Sequence, residues 1–342
     1  MSENQNKNPK PIKIVAMATD PIYIGTGGYT IGRVDNTIVR DPITNIPKIP
    51  GSSIAGTWRY YVALELQSHF KDDYKKDLAK RAEKKDNIGE LFDNPKEWMK
   101  FDGNRFARIK CAGQDEASQK TLEESENINT GHCGHCIVCK AFGFSKKDKS
   151  NQGMLFFSDL NILFFPVFTR FGVRWITSPK LLNKNIKIDD KTILTKDGNE
   201  EYLNLGWLNL KVKGCHILEE RDLNDSGLKP DDIVIVPDSL ISQIINSNLE
   251  VRTSVSIDPI TGAAKEGALF TSEAIPRGTI FCGEVRGFKR EGDESLPDLG
   301  LVWSALEESK EYFNSLGIGG MTTRGFGRLK ILSKLGGGNG ES

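Results

Sequence analysis

Residues 132–143 read HCGHCIVCKAFG, a run that sets Cys133, Cys136 and Cys139 in C-x2-C-x2-C spacing with His132 and His135 interleaved. Thiolates spaced this way converge on one tetrahedral ion. Cys111 can close the coordination from further along the chain, and His132 and His135 compete for the fourth position. Closed four-ligand coordination suits a structural zinc, a staple for chain that lacks a core of its own. Free thiols in a polar loop are the plainer alternative, and an iron-sulfur cluster a third. Three exposed thiols side by side would be open to oxidation.

Two further stretches could do chemistry. GIGGMTTRGFGR (317–328) has glycines at Gly317, Gly319, Gly320, Gly325 and Gly327, which let backbone amides approach a ligand unobstructed, while Arg324 and Arg328 bring positive charge. Such a turn suits a phosphate or a polynucleotide backbone, and a plain glycine-rich turn with solvated arginines is the competing reading. The absence of G-x4-G-K-[ST] argues against a nucleoside-triphosphate motor. Upstream, Asp35 and Asp41 flank glycine loops and precede a helix start. A carboxylate there can hold a metal ion or take a proton from a hydroxyl nucleophile, although Asp41, followed by Pro42, reads more as turn chemistry.

The elements that must position these groups are partly legible. Ile12 to Ala18 alternates as a first strand, and a glycine loop from Gly25 to Gly32 leads to an extended run, Asn36 to Arg40. After IPGSS, with Ser52 or Ser53 as natural N-cap, the apolar residues Ile54, Trp58, Tyr61, Val62, Leu64 and Leu66 predict an amphipathic helix through Phe70. Residues 71–100 carry nine basic and eight acidic side chains and read as a solvated helical insertion with scattered anchors at Leu91, Phe92 and Trp98. A loop is expected over 115–131 and a region of hairpins and loops over 180–230. Strands are expected at Asp232 to Val236, Thr279 to Val285 and Leu329 to Leu332, with a long excursion from Val251 to Phe270. A helix is expected from Leu301 to Leu316, with Val302, Leu306, Tyr312, Phe313 and Leu316 on its buried side.

The 342 residues carry 46 basic and 46 acidic side chains, so any nucleic-acid surface must be a local basic groove rather than a whole-chain field. No apolar window is long enough to span a bilayer, and with a stretch as polar as MSENQNKNPKPIK at the start secretion is not expected. On that expectation the six cysteines, three of them clustered, suit a reducing, cytoplasmic setting. Residues 1–10 and 336–342 are expected to be disordered tails.

VDNTIVRDPITNIPKIPGSSIAGTWR resembles the IPGSS region of the RAMP superfamily, the RNA-binding backbone subunits of type III CRISPR effector complexes, and GIGGMTTRGFGRLKI resembles that superfamily's C-terminal glycine-rich loop. LFFPVFTRFGVRWITSPKLL and SIDPITGAAKEGALFTSEAIPRGTIF are most similar to the repeated backbone subunit of the Cmr (type III-B) complex, and the cysteine run followed by AFGF resembles Csm-type and type III-D relatives. Ala55 stands where the family commonly carries lysine.

The resemblance implies an α+β chain: an RRM-like, ferredoxin-like palm over 11–70 and 150–335, with a charged, zinc-binding insertion over 71–149. It also implies a β-hairpin thumb at about 251–270, carrying Thr253, Ile257, Asp258, Lys265 and Leu269. By position in the motifs, Asp35 is the implied catalytic aspartate, served by Mg2+ or Mn2+. Gly51, Ser52, Ser53, Arg59, Gly319, Gly320, Thr323, Arg324, Gly325 and Arg328 are the implied contacts to the guide RNA backbone. Guide RNA, target RNA, further copies of this chain, the large polymerase-palm subunit and small subunits are the implied partners, and a membrane is not one. The implied activity is cleavage of target RNA at regular intervals, with a non-catalytic scaffold as the alternative. A guide-processing ribonuclease would want a histidine base near the glycine loop, and His69, His132, His135 and His216 offer no such site.

Overall fold

The computed structural model describes residues 11–27, 34–72, 74, 87–113, 131–146, 149–196, 198, 200–214, 223 and 226–335. The expected tails, positions 28–32 of the first glycine loop, residues 75–86 of the charged segment, the loop at 115–130 and His216 lie outside the described residues.

The chain begins with β1 (Ile12–Ala18), a short β2 (Lys48–Ile49) and α1 (Gly51–Ser68). After the insertion come α2 (Ile137–Phe142), β3 (Phe144–Lys146), β4 (Lys149–Asn151), β5 (Leu155–Phe157), β6 (Leu160–Thr169) and β7 (Gly172–Thr177). Next are β8 (Thr192–Thr195), β9 (Tyr202–Leu205), β10 (Leu208–Gly214), β11 (Ile233–Ile235) and α3 (Asp238–Ser247). The last part holds β12 (Glu250–Ile257), β13 (Ala264–Ala274), β14 (Ile280–Gly287), α4 (Leu299–Ser309), α5 (Glu311–Ser315) and β15 (Leu329–Ile331). The protein is therefore of mixed α+β class.

Among the described residues one large sheet runs β15-β1-β14-β6-β7-β11-β8-β10-β9. At its first end, β15, β1, β14 and β6 are each antiparallel to the next, and a helix follows β1 and β14 in the chain. Strand β1 is central there and is covered on both faces, which is why six of its seven residues are apolar without strict in-and-out alternation. Ile14, Ala16 and Ala18 join the main core, whereas Val15 joins a smaller core on the opposite face with Leu163, Phe164 and Ile280.

Helix α1 begins at Gly51, earlier than an N-cap at Ser52 or Ser53 requires. Pro50 occupies the cap position at φ −59° and ψ 142°, and the acceptor a capping serine would have supplied comes from Asp159, whose Oδ1 takes the Gly51 N–H at 2.8 Å. The predicted stripe is otherwise the buried one: Ile54, Trp58, Tyr61, Val62 and Leu66, with Ala63 in place of the half-buried Leu64. Trp58 is fully enclosed, packs edge-on against Phe313 at 5.2 Å and donates its indole N–H to Leu306 O and Ser309 Oγ, both at 3.2 Å. Truncating such a side chain to alanine costs about 3–5 kcal/mol.

Two expectations are corrected. Residues 87–113 are not a solvated helix but a series of tight 3-10 turns that bury Leu91, Phe92, Trp98 and Met99 in the main core. These anchors are few but large, and Trp98 is fixed by donating to Glu308 Oε2 at 2.7 Å, so charge density alone misjudged the segment. The single helix expected from Leu301 to Leu316 is two, α4 and α5, meeting at Lys310. The break shifts the helical phase, so Leu316 is exposed at 45% instead of buried.

The excursion after Val251 is a two-stranded hairpin, β12 with β13, paired to each other and outside the large sheet. No helix of the described residues is long and apolar enough to cross a membrane.

Candidate functional site

The Sγ atoms of Cys111, Cys133, Cys136 and Cys139 all lie within 4.8 Å of one another. The Cys133–Cys139 separation of 3.9 Å is far beyond disulfide length and matches the roughly 3.8 Å edge of a tetrahedron with metal–sulfur bonds of about 2.3 Å. Backbone N–H groups of His135 and Cys136 donate to Cys133 Sγ at 3.4 and 3.3 Å, as in closed thiolate sites. The fourth member is Cys111, held buried by the turn Ile109–Ala112. The histidines face elsewhere: His132 packs on Phe144 at 5.7 Å and His135 on Phe106 at 5.2 Å. Hydrogen bonding from the other three thiols drives Cys111 down, while burial drives Cys136 up. Four thiols this close cannot all ionise unless a cation joins them.

Arg59 belongs with this cluster. Its guanidinium donates to Cys111 O at 2.7 Å and to Gly143 O at 2.5 Å, and contacts His132 Nδ1 at 2.8 Å. The resemblance placed Arg59 on RNA, and the structure turns it inward instead.

The Asp35 carboxylate is exposed and anchored from one side. Its Oδ2 accepts the N–H of Thr271 at 2.7 Å and the Thr271 hydroxyl at 2.9 Å. These bonds, the backbone one first, hold its pKa below the ordinary carboxylate value, so the group is ionised at neutral pH. Thr271 lies on β13 directly opposite Thr253 on β12, which puts Asp35 at the foot of the hairpin. Asn36 continues the attachment by bridging to Ser272, and Arg40 pairs with Glu273 at 2.6 Å.

From this foot a closed circuit of contacts leads to the glycine turn. Arg252, beside Thr253, donates to Gly325 O at 3.0 Å and lies over the Phe326 ring at 4.6 Å. Phe326 meets Tyr23 edge-on at 6.5 Å, and Tyr23 O accepts the Gly320 N–H at 3.0 Å. The 22–26 segment then pairs back onto 37–39 through Gly25 and Ile38 and through Thr26 N–H to Thr37 O at 3.2 Å, next to Asp35. The turn can lie this close because Gly319, at φ +83°, has Tyr23 O 2.2 Å from where a Cβ would stand. Tyr61 closes it from α1, donating its hydroxyl to Gly317 O; burial pushes that hydroxyl's pKa up to about 12, so it keeps its proton.

Between this turn and α1 runs an open groove of about 730 Å3 lined by Gly56, Thr57 and Tyr60 on one wall and Gly319, Thr323, Gly325 and Arg328 on the other. Ser52 and Ser53 sit one turn N-terminal to Gly56 and Thr57 on the same helix face. Thr323, Arg324 and Arg328 are exposed, with Arg328 also 3.4 Å from Asp20. Two backbone donors expected at this surface are engaged elsewhere: Gly51 N–H with Asp159 and Gly320 N–H with Tyr23. Asp159 in turn pairs with Lys48 at 2.7 Å, so the helix start already holds an anion of its own.

The hairpin points its apolar side chains outward: Ile257 and Leu269 are each 66% exposed and Ile260 at the tip 92%. Asp258 shapes the tip, accepting Ile260 N–H at 2.8 Å, and Lys265 is exposed on the returning strand. Asp41 is turn chemistry, as its sequence context suggested. It accepts from Thr44 N–H, Ile43 N–H and the Thr44 hydroxyl, and its pKa falls to about 2. Sequence reasoning missed Thr271, Tyr23, Arg252 and the groove wall at Gly56, Thr57 and Tyr60. Gly56, Thr57 and Thr271 lie inside motif stretches already singled out, though nothing in them marks their roles, whereas Tyr23, Tyr60 and Arg252 lie outside those stretches.

Over 234 residues the chain is 27% identical to the CRISPR system Cmr endoribonuclease Cmr4 of Pyrococcus furiosus, covering 58% of this chain and 75% of that one. A shorter stretch of 45 residues is 58% identical to the Cms endoribonuclease Csm3 of Methanothermobacter thermautotrophicus, covering 13% of this chain and only 18% of that relative. In three dimensions the fold matches a chain of the type III-B Cmr-beta complex in its apo state, with TM-score 0.57 at 13% identity over 95% of this chain and 98% of that one. It matches Cmr-beta bound to cognate target RNA with TM-score 0.58 at 12% identity over 96% and 98%. The sequence model of the RAMP superfamily aligns with residues 16–330, from the first strand through the glycine turn to the last strand, and the chain belongs to that superfamily.

Proposed function

We propose that this protein is a guide-RNA-binding backbone subunit of a type III CRISPR effector complex, and that it lines up with further copies along the guide and cuts complementary target RNA beside Asp35. The observation that carries this reading is the circuit joining Asp35, the foot of an exposed apolar hairpin and the glycine turn, which links a carboxylate, that hairpin and an open groove in one framework. The strand order β15-β1-β14-β6 with a helix after β1 and β14 supports a ferredoxin-like palm, with residues 71–149 as its insertion. The endoribonuclease names of Cmr4 and Csm3, and the fold shared with a complex that holds target RNA, support the activity and the RNA partners. The large polymerase-palm subunit and small subunits are the further partners.

Cleavage by the substrate's own 2′-hydroxyl needs an in-line approach, a proton acceptor and relief of phosphate charge. The hairpin's exposed isoleucines and Leu269 can part neighbouring base steps and so turn one nucleotide into line. Asp35, exposed and fixed by Thr271, is the carboxylate at the foot of that hairpin that would accept the proton. A divalent ion at this carboxylate, Mg2+ or Mn2+, would supply the charge relief. A single protein carboxylate suits Mg2+, which takes its remaining ligands from water and phosphate. Guide contacts fall to Ser52, Ser53, Thr323, Arg324, Gly325 and Arg328, which read backbone rather than base. The four-cysteine set would hold a structural zinc.

The bonds from Thr271 also favour a second reading, in which Asp35 locks the hairpin of a non-catalytic scaffold. Chelation separates the two: it stops cutting without releasing RNA in the first, whereas in the second this subunit contributes no cutting to stop. The parent reading is tested by purifying the protein with its RNA. A filament of regular repeat is expected, and dispersed RNA-free chains contradict it.

A further inference from the structure

We infer that Arg59 couples the four-thiolate site to the groove, so that a zinc ion among the sulfurs and a polyribonucleotide in the groove strengthen each other's binding. This coupling rests on the reading of the groove as an RNA site. Arg59 sits in α1 between Trp58, which is locked in the core, and Tyr60, which lines the groove. Its acceptors come from three separate segments, and each is tied to a cysteine. One is the carbonyl of Cys111 itself, one is the ring of His132, next to Cys133, and one is the carbonyl of Gly143, which ends the helix carrying Cys139. Gly143 is held by its N–H, which donates to Cys139 O at 3.0 Å, and packs so closely that at φ +74° a Cβ there would lie 2.5 Å from Gly153 N. Asn104, fully buried, ties down the start of that same helix, next to Cys136, by accepting Ile137 N–H at 2.9 Å while donating to Trp98 O and Met99 O.

A guanidinium is a rigid planar fork and meets three fixed acceptors only when all three segments stand where the closed thiolate cluster puts them. Charge points the same way. Four thiolates around one divalent ion carry two net negative charges, and Arg59 brings a fixed positive charge to the carbonyl of one ligand residue. Outer partners of this kind typically change metal affinity by about 10–100-fold. Whatever tightens the cluster therefore holds α1, and with it Thr57 and Tyr60, in the groove-forming position. By thermodynamic linkage the factor must be the same in both directions.

The test uses the full chain. Zinc affinity is read by competition with a chromophoric chelator, with and without a single-stranded RNA of mixed sequence, for wild type, Arg59→Met and Arg59→Lys. Expected are zinc affinity about 10–100-fold weaker in Arg59→Met without RNA, a zinc-dependent gain in RNA affinity in wild type, and loss of that gain in Arg59→Met with the salt slope of RNA binding unchanged. Arg59→Lys keeps the charge but loses the fork, and it carries the measurement should Arg59→Met not fold. Unchanged zinc affinity in either variant overturns the proposal. So does a salt slope shallower by about one unit with zinc affinity intact, which would make Arg59 a phosphate contact. Wild-type protein that binds zinc but no RNA would refute the groove reading and the coupling with it, while an Arg59 effect on zinc affinity alone would still stand.

Discussion

Asp35 and Thr271 are 236 residues apart in sequence and meet through two hydrogen bonds to a single oxygen, Asp35 Oδ2, at 2.7 and 2.9 Å. Because these bonds favour the charged form, the carboxylate stays ionised to lower pH than an ordinary aspartate. Its contribution is therefore present above the ordinary carboxylate pKa and is lost only as pH falls through the depressed folded value. Thr271→Val deletes the hydroxyl donor, so the Asp35 pKa should rise toward the ordinary value and the acid limb of target cleavage should move to higher pH. Carboxyl NMR titration and a pH–rate profile check both shifts.

The exposed arginines at the glycine turn should be felt in the salt dependence of RNA binding. Arg324→Ala with Arg328→Ala should weaken binding alike for all sequences and flatten the plot of log affinity against log salt by about one unit for each phosphate left without its arginine. Nitrocellulose filter binding across a salt series measures the slope directly.

Removal of the thiolate site should act on stability. Cys136→Ser, or treatment with a strong chelator, should lower the melting temperature by more than about 5 °C, since a structural ion's binding energy is folding energy. Elemental analysis should find one zinc per chain in the native protein and none in Cys136→Ser.

Two glycines on facing walls of the groove should respond in opposite ways. Gly319→Ala forces a Cβ against Tyr23 O from a left-handed backbone, so the turn must move off the 22–26 segment and RNA affinity should fall. Gly56 lies inside α1 with nothing within 4 Å of its would-be Cβ, so Gly56→Ala should stabilise the helix by about 0.5–1 kcal/mol. Thermal melts alongside RNA titrations separate the two effects.

The sequence was most readable where a pattern is local. Strand β1, the buried stripe of α1 and the three close cysteines follow from periodicity and spacing, which operate over a few residues. Arg59, Gly51 and Gly320 were misjudged because their partners lie elsewhere in the chain: Cys111, His132 and Gly143 for the first, Asp159 and Tyr23 for the other two. The charged segment misled for a related reason, since Trp98 and Met99 find their core only through contact with distant helices. Asp35 was marked by its place in a motif, but the anchor that orients it belongs to a hairpin far along the chain, which no spacing rule reaches.

The most direct measurement is single-turnover cleavage of a complementary target by the assembled complex carrying Asp35→Ala, with guide and target affinities measured in parallel. A loss of about 10²- to 10⁴-fold in rate with both affinities unchanged is predicted. Undiminished cutting by the variant complex would contradict the assignment of this carboxylate to the reaction.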